Sequence, residues 1–316
     1  MPRYFIGAIS NKEEVVKKYF RQVEIGLLFL PLAVLLNCAA VVRMPLPKKI
    51  PADFIRSDAV LFYNGFEQAP LGYYEKWRLA WDWGDSVYIK DGVAGGRTTI
   101  VQDKDKNRGK VLCVLYPEGT FGPKENGAQW LLKLGAQYEE LYCSYWVKFP
   151  YGFEFVKGGK LPGLVGGEAN TGGQKPNGKD GWSARIMWQK GGAIRQYVYH
   201  VAQKDPLYGD GRPWQEEGEN CLFTQGQWHH VENYVKMNTL GKSNGVIISW
   251  LDGRLVMDEE DFRFRDIPEI GIDAFYFSTF FGGADETWAA AKREYIYFDD
   301  FVISRVPVHG LIRMNR

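Results

Sequence analysis

The feature that most constrains the fold is a series of short apolar runs with a period of two, which recurs along residues 58–316. Side chains that alternate between two faces are typical of β-strands. Gly, Pro, Asn and Asp separate the runs, and almost no convincing amphipathic helix lies between them. The pattern predicts an all-β fold, either a two-sheet antiparallel sandwich or a barrel-like jelly roll. The candidate strands are residues 59–63, 86–90, 97–102, 110–116, 139–149, 183–188, 194–201, 228–237, 245–251, 254–257, 273–280 and 295–305.

Two details of this pattern predict how strands pair. Asp252-Gly253 stands between two runs, which predicts a tight two-residue hairpin turn. The first run, near residue 60, and the last run, near residue 300, are expected to pair, so that the two ends of the domain meet.

The N-terminal part of the chain differs in composition from the rest. Residues 1–24 are polar and partly basic, and residues 25–42 are almost wholly apolar. The apolar stretch predicts a signal peptide or a signal-anchor helix. A buried core helix fits it less well because of Pro31, and a start codon assigned too far upstream would also account for the polar leader. Residues 43–57 hold three prolines and are interpreted as a linker. We therefore expect a domain at residues 58–316 that is secreted, or anchored to a membrane through the apolar stretch, and lies outside the cytosol.

Composition excludes several classes of function. The net charge of the 316-residue chain is +1, so no global field favours nucleic acid as a partner. Four Cys and four His occur without a Cys-x-x-Cys pair, which argues against a zinc site. One disulfide and buried free thiols are both open interpretations of the cysteines. Aromatic residues make up 15% of the chain, which suits a β-rich core and also stacking platforms for sugar rings.

A predicted hairpin carries an unusual set of polar side chains. If its turn centres on Gly191, Arg185 faces Tyr197 across the two strands. The same register places Ser183 opposite Tyr199, and all four side chains then point to one face of the sheet. Hydroxyl, guanidinium and phenol groups side by side are unusual in a core, so the hairpin is a candidate site.

Familiar hydrolytic motifs are missing from the sequence. No Gly-x-Ser-x-Gly elbow, phosphate-binding loop or His-Glu-x-x-His motif occurs. Glu259-Glu260-Asp261 begins like the paired acids of a sandwich glycoside hydrolase, but no third acid follows it. We interpret this stretch as a solvated turn.

The groups that are present suit the β-elimination of a uronic acid polysaccharide. The proton at C5 is very weakly acidic, and cationic or hydrogen-bonding groups must first neutralise the adjacent carboxylate. A base then removes the proton, and an acid protonates the leaving glycosidic oxygen. A tyrosine could do both if positive charge on Arg185 and Lys160 lowered its pKa.

Five short stretches occur in a fixed order and together span most of the domain: GGKLPGL (158–164), SAR (183–185), YVY (197–199), FSTFFGG (277–283) and FDDF (298–301). Together they resemble polysaccharide lyase family 14, which includes alginate lyases of marine molluscs and a cell-wall-degrading lyase of Chlorella viruses. The 14-residue step from Ser183 to Tyr197, with Arg and Tyr two further on in each strand, is the most specific part. The resemblance implies a β-jelly roll and polysaccharide lyase activity.

The resemblance also implies which residues carry out catalysis. The family's catalytic lysine, serine, arginine and two tyrosines map onto Lys160, Ser183, Arg185, Tyr197 and Tyr199. The glycine-rich loop that is predicted to carry Lys160 and to precede Ser183 also holds Lys175 and Lys179, which are alternative positions for the lysine. Arg185, helped by Lys160, would bind and neutralise the uronate carboxylate. One tyrosine, or both in turn, would be base and acid. Ser183 would position the substrate or its neighbouring tyrosine.

Two further predictions concern binding. Gln129 is predicted to contact the substrate. Asp299 and Asp300 could join Glu67 in a structural calcium site, with solvated strand-end acids as the alternative interpretation. No catalytic metal or other cofactor is expected.

The predicted function is therefore a lyase that cleaves a polyuronate such as alginate or a glucuronan, acting as a monomer. A non-catalytic carbohydrate-binding jelly roll, similar to a lectin, is the alternative, and a sandwich glycoside hydrolase is a third. Plain sugar binding needs no Ser-x-Arg and Tyr-x-Tyr pair, which favours the lyase.

Overall fold

Two antiparallel β-sheets pack face to face across one large apolar core in the computed structural model, which describes residues 50–84, 86–104 and 108–313. Phe277 from one sheet meets Phe298 from the other in this core, with ring centroids 5.2 Å apart. The all-β sandwich predicted from the sequence is confirmed.

The described residues form eighteen strands, four short α-helices and two 3₁₀ turns. In chain order the strands are β1 (Val60–Asn64), β2 (Gly72–Tyr73), β3 (Val87–Asp91), β4 (Thr98–Gln102), β5 (Lys110–Tyr116), β6 (Ala128–Tyr138), β7 (Glu140–Lys148), β8 (Gly158–Gly167), β9 (Gly181–Gln189), β10 (Ile194–Tyr199), β11 (Asp210–Pro213), β12 (Gln215–Glu216), β13 (Glu219–Asn220), β14 (Trp228–Lys236), β15 (Gly245–Leu251), β16 (Arg254–Phe262), β17 (Ile272–Phe281) and β18 (Glu294–Ser304). The helices are α1 (Ala52–Ile55), α2 (Lys76–Trp83), α3 (Gly122–Glu125) and α4 (His309–Arg313), and the 3₁₀ turns are Lys190–Gly192 and Glu286–Trp288.

The strands are divided between two sheets of unequal size. The larger has the order β16-β15-β14-β7-β18-β5-β4-β2, with β1 also paired to β18. The smaller has the order β11-β10-β9-β8-β17-β6-β3, and β12 with β13 forms a separate ribbon. The predicted hairpin is β9–β10, so the candidate site belongs to the smaller sheet.

Every run that the period-two pattern predicted coincides with a strand. The hairpin turn between β15 and β16 is also confirmed, and its two residues have the positive φ that such turns require, 52° for Asp252 and 75° for Gly253. The first and last strands pair as predicted, with Val60 opposite Ser304.

The central strand β8 was not predicted as a strand, and neither was β6. The β8 sequence GGKLPGLVGG was interpreted as part of a glycine-rich loop, yet nearly all of it is buried. A Cβ on Gly163 would lie 2.0 Å from the carbonyl oxygen of Ala184, and one on Gly159 would lie 2.1 Å from the ring of Trp188. Glycine is therefore needed where the backbones approach closely. Pro162 lies at a bulge in the β8–β9 pairing, where a missing N–H is tolerated.

Helix α2 was also not predicted from the sequence. Leu79 and Trp83 on its inner side are buried, whereas Trp77 and Trp81 are exposed. Large apolar side chains on both sides hide the period by which an amphipathic helix is recognised.

The acidic residues near the chain end do not form the predicted calcium site. Asp299 and Asp300 both accept a hydrogen bond from Nη1 of Arg108, at 3.1 and 3.0 Å. Among the described residues, no three His, Cys, Asp or Glu lie together in a way that could hold a metal ion, Glu67 included. The alternative of solvated acids is wrong as well, because both aspartates are buried and an arginine compensates their charge.

The structure also locates the acidic stretch at residues 259–261 and three of the cysteines. The Glu259–Asp261 stretch lies within β16 rather than in a solvated turn, and Arg212 forms ion pairs with both of its outer acids. Three of the four cysteines are described, and all three are buried free thiols: Cys113, Cys143 and Cys221.

Residues 1–49 lie outside the described residues, so the predicted leader, the apolar segment at 25–42 and the extracytosolic location stay predictions. No helix of the part that is described is long and apolar enough to cross a membrane. At the end of the predicted linker, α1 places Phe54 in a small apolar cluster with Trp146 and Val302. The linker at 43–57 and the domain start at 58 therefore also stay predictions.

Candidate active site

The predicted site residues meet on one surface of the smaller sheet. We call this surface the site face; it consists of the side chains of β3, β6, β17, β8, β9 and β10 that point away from the apolar core. The β9–β10 register places Arg185 opposite Tyr197, as predicted. It also places Ser183 opposite Tyr199.

Arg185 is a buried cation without an anionic partner. Its guanidinium donates a 3.2 Å hydrogen bond from Nη1 to Oγ of Ser278, and its Nε has no hydrogen-bond partner. No carboxylate of the described residues forms an ion pair with it. Burial lowers the pKa of Arg185, and the rings of Tyr276 and Tyr197 lie near it, 5.6 and 6.0 Å from Cζ. A buried guanidinium in this state is costly unless a ligand supplies the missing charge.

Lys160 is a second buried cation on the site face. It lies in β8 opposite Met187, so the loop position expected from the sequence is wrong. Its Nζ donates to Sδ of Met187 at 3.0 Å and lies 4.0 Å from the ring centroid of Tyr197. Burial, and then the positive charge of Arg185, hold the pKa of Lys160 well below its usual value. The two cations thus share one small region and repel each other.

The two tyrosines form a hydroxyl pair beside these cations. The hydroxyl oxygens of Tyr197 and Tyr199 are 3.3 Å apart, and the rings meet edge to face at 5.4 Å. The backbone N–H of Gly173 donates a 3.3 Å hydrogen bond to the Tyr199 oxygen. Tyr197 is partly exposed and Tyr199 is buried, so Tyr197 is the member of the pair that a ligand can reach first.

The sequence predicts that nearby cations lower the pKa of a site tyrosine, and this is wrong for Tyr197. Burial is the largest influence and raises the pKa of Tyr197, and the hydrogen bond to Tyr199 raises it further. The charge of Arg185 lowers it by less than these two effects raise it. In the ligand-free protein Tyr197 therefore keeps its proton at neutral pH, which suits a general acid.

Ser183 acts on the loop that follows β8 rather than on the open surface. It is fully buried, and its Oγ donates a 2.7 Å hydrogen bond to the carbonyl oxygen of Asn170. The same loop carries Gly173, whose N–H reaches Tyr199. Ser183 thereby helps to fix the loop that orients one of the tyrosines.

Gln129 also lies on the site face, next to residues that sequence reasoning did not single out. Its Nε2 donates to Oγ of Ser278 at 2.8 Å, and Ser278 also accepts from Arg185. Tyr276, on the same strand as Ser278 (β17), packs against Arg185 of β9. Tyr276 and Ser278 could have been found from the sequence, because they alternate with the core residues Phe275 and Phe277 and therefore point to the site face.

A separate cleft of about 370 Å³ is lined by residues that include Tyr63, Phe66, Arg78 and Trp81, and by none of the predicted catalytic residues. Unlike the two buried cations of the site face, its Arg78 is paired with Asp82 at 2.7 Å, and Tyr63 donates to Asp300 at 2.7 Å.

Comparison with protein families identifies the chain. The family model described as polysaccharide lyase 14 matches residues 104–301, which is more than half of the sequence. The chain belongs to polysaccharide lyase family 14. The protein is thus a polysaccharide lyase, and the matched region contains every predicted catalytic residue and Gln129.

Solved structures with the same fold include several lyases. The alginate lyase Aly36B is 25% identical with a TM-score of 0.66, over 78% of this chain and 96% of its own. The family 14 alginate lyase from Aplysia kurodai is 24% identical with a TM-score of 0.65, over 77% and 98% of the two chains. The alginate lyase vAL-1 from Chlorella virus is 24% identical with a TM-score of 0.59, over 77% and 100%. No curated protein matches this chain.

The buried charge of Lys160 leads to a prediction about stability. Replacing Lys160 with Met is expected to stabilise the lyase by about 1 kcal/mol at neutral pH while lowering its activity. Between the lowered pKa of folded Lys160 and the ordinary lysine pKa of 10.5, the unfolded chain binds more protons, so wild-type stability rises with pH. The gain from Met should therefore be largest below the folded pKa and vanish once pH exceeds about 10.5.

Chemical unfolding of both proteins across this pH range measures the difference. Lys236, an exposed lysine on β14 of the larger sheet, provides the control, since Lys236→Met should leave stability nearly unchanged at every pH. If Lys160→Met destabilised the lyase by a constant amount at all pH values, the assigned cost of burying this charge would be wrong.

Proposed function

We propose that this lyase cleaves a polyuronate, alginate or a glucuronan, by β-elimination on the site face. The observation that carries the proposal is the pair of buried cations, Arg185 and Lys160, beside the hydroxyls of Tyr197 and Tyr199. Neither cation forms an ion pair with a carboxylate of the described residues. Support for an acidic substrate comes from Aly36B, an alginate lyase, a variant of which has been solved with alginate tetrasaccharide.

The cations supply the first requirement of the reaction. Loss of the C5 proton places negative charge on the carbon next to the uronate carboxylate. Arg185 binds that carboxylate with its planar donors, and Lys160 adds a second positive charge. Because the groups are already buried and oriented, little reorganisation is needed when the charge develops. Binding of the carboxylate also removes the cost of leaving the two cations unpaired.

The tyrosine pair supplies the proton transfers. One hydroxyl oxygen accepts the C5 proton as it passes its own proton to the other hydroxyl, and the electrons of the C5–H bond form the double bond between C4 and C5 as the C4–O bond breaks. The leaving oxygen receives a proton from the pair. Tyr197 is suited to this acid step because burial raises its pKa and keeps its proton in place. Tyr199, hydrogen-bonded to Tyr197 and to the Gly173 N–H, completes the pair.

A substrate screen tests the proposal. The purified protein is mixed with mannuronate-rich alginate, guluronate-rich alginate, glucuronan, pectate and a neutral β-glucan, and ultraviolet absorbance from the unsaturated product is followed. We expect absorbance to rise with alginate or glucuronan and to stay flat with the neutral polymer. Flat absorbance with all the uronates, from a folded protein, would refute the proposal.

A further inference from the structure

Lys90 is an exposed cation at the edge of the site face. It lies on β3, the outermost strand of the smaller sheet, and its Nζ is 4.7 Å from the ring centroid of Tyr276. No carboxylate of the described residues forms an ion pair with it. By contrast, Lys133 on the neighbouring strand pairs with Asp273 at 3.2 Å. Lys90 is thus a cation on this surface whose charge is open to a ligand.

Tyr276 joins Lys90 to the proposed catalytic centre. Arg185 Cζ lies 5.6 Å from the centroid of the ring that Lys90 covers. The two cationic centres are therefore at most about 10 Å apart, since both distances are measured to the same centroid. The ring is held in place, because Tyr276 is almost fully buried.

The strand register shows that this separation runs across the sheet. Tyr276 lies opposite Gly163 in β8, and Gly163 lies opposite Arg185 in β9. On the other side, Tyr276 lies opposite Leu131 in β6, and Leu131 lies opposite Tyr88 in β3. One continuous row of facing residues therefore connects the edge strand to the catalytic centre, with neighbouring strands about 4.8 Å apart.

We propose that Lys90, supported by the ring of Tyr276, binds the carboxylate of a second uronate in the same chain as the uronate held by Arg185. In an extended β-1,4-linked chain, every second sugar presents its carboxylate on the same side. Two cations at most about 10 Å apart on one surface can contact carboxylates of the same extended chain. This inference rests on the proposed function, and it adds that the lyase recognises a run of uronates rather than a single one.

Lys90 suits such a role physically. An ammonium over an aromatic face is attracted to the ring, which restricts a side chain that would otherwise be flexible. A charge-assisted contact to a carboxylate then costs less ordering entropy. The contact lies away from the reacting carbon, so it binds ground state and transition state alike and affects KM more than kcat.

The test is the dependence of kinetics on substrate length. The wild type and Lys90→Gln are compared on oligouronates from trimer to octamer of the best polymer in the screen. For the wild type, we expect kcat/KM to rise sharply at the length that reaches Lys90. In Lys90→Gln the rise in kcat/KM should be about tenfold smaller, because KM for the longer substrates increases. This is the effect expected for the loss of one charge-assisted contact. Lys90→Arg, which keeps the charge, should restore most of the rise.

Lys236→Gln removes the same charge from the larger sheet and should keep the wild-type length profile. An unchanged length profile in Lys90→Gln would overturn the inference, and so would an equal loss at every length, which indicates a structural role. The proposed function fails differently, because in that case the wild type itself would give no unsaturated product from any oligomer.

Discussion

Phe in place of Tyr197 or Tyr199 is expected to lower kcat by about 10²–10⁴-fold, the usual contribution of a general acid or base. Each substitution removes one oxygen from the hydroxyl pair and leaves the ring in place. Because the two hydroxyls act on the same proton transfers, the effects should not add. The Tyr197→Phe, Tyr199→Phe double variant should be little worse than the more damaged single variant.

Initial rates of unsaturated-product formation measure these effects, and near-ultraviolet circular dichroism verifies that each variant is folded. Tyr142→Phe is the matched control, because Tyr142 lies on β7 of the larger sheet and packs against another tyrosine, Tyr234, with centroids 4.8 Å apart. It should keep wild-type activity. Full activity in both single variants would mean that the tyrosines are not the acid–base pair.

Removal of the Arg185 guanidinium is expected to lower activity nearly as much as removal of a tyrosine hydroxyl, but without destabilising the fold. Arg185→Met should lower kcat/KM by about 10²–10³-fold, since it removes a preorganised donor to developing negative charge. The folded protein should become no less stable, because Met fills similar space without a buried unpaired cation. Arg185→Lys should recover only part of the activity, since a point charge cannot reproduce the planar pair of donors.

Steady-state kinetics and thermal unfolding of the same samples separate the two effects. Arg254→Met serves as the control, because Arg254 lies on β16 and pairs with Glu216 on the surface. It should change neither activity nor stability by much. If Arg185→Met lost stability and activity together, the guanidinium would be a structural residue.

The hairpin could be predicted because its local pattern agrees with the final structure. β9 and β10 alternate with a period of two around a Gly-Gly turn, and Gly191 has the positive φ of 71° that favours glycine. The register follows from the turn position, so Arg185 could be placed opposite Tyr197 from the sequence alone. The ordered short stretches then indicated the family that the domain match confirms.

The central strand β8 could not be predicted from the same rules, because Gly and Pro usually interrupt strands. What overrides this tendency is tertiary contact: Trp188 and the Ala184 carbonyl lie so close that a side chain on Gly159 or Gly163 would clash. Lys160 was therefore expected in a loop, although it lies on a buried strand opposite Met187.

The electrostatics of the site depend on burial, which the sequence does not state. Nearby cations were expected to lower the pKa of a site tyrosine, but burial of Tyr197 outweighs the charge of Arg185. In the same way, the sequence predicts a calcium site or solvated acids at Asp299 and Asp300, whereas in the fold both aspartates form ion pairs with Arg108. Arg108 is distant from both aspartates in sequence, and the burial of Tyr197 depends on the folded sheet, so neither could be read from local sequence.

The most direct test of β-elimination compares two products of the same reaction. Wild-type lyase is incubated with its best polyuronate, and unsaturated ends, from ultraviolet absorbance, are counted against new reducing ends. Elimination forms one double bond for each glycosidic bond broken, so we predict a ratio of one throughout the reaction. Reducing ends that form without matching unsaturated ends would show hydrolysis and contradict the roles assigned to Arg185 and the tyrosine pair.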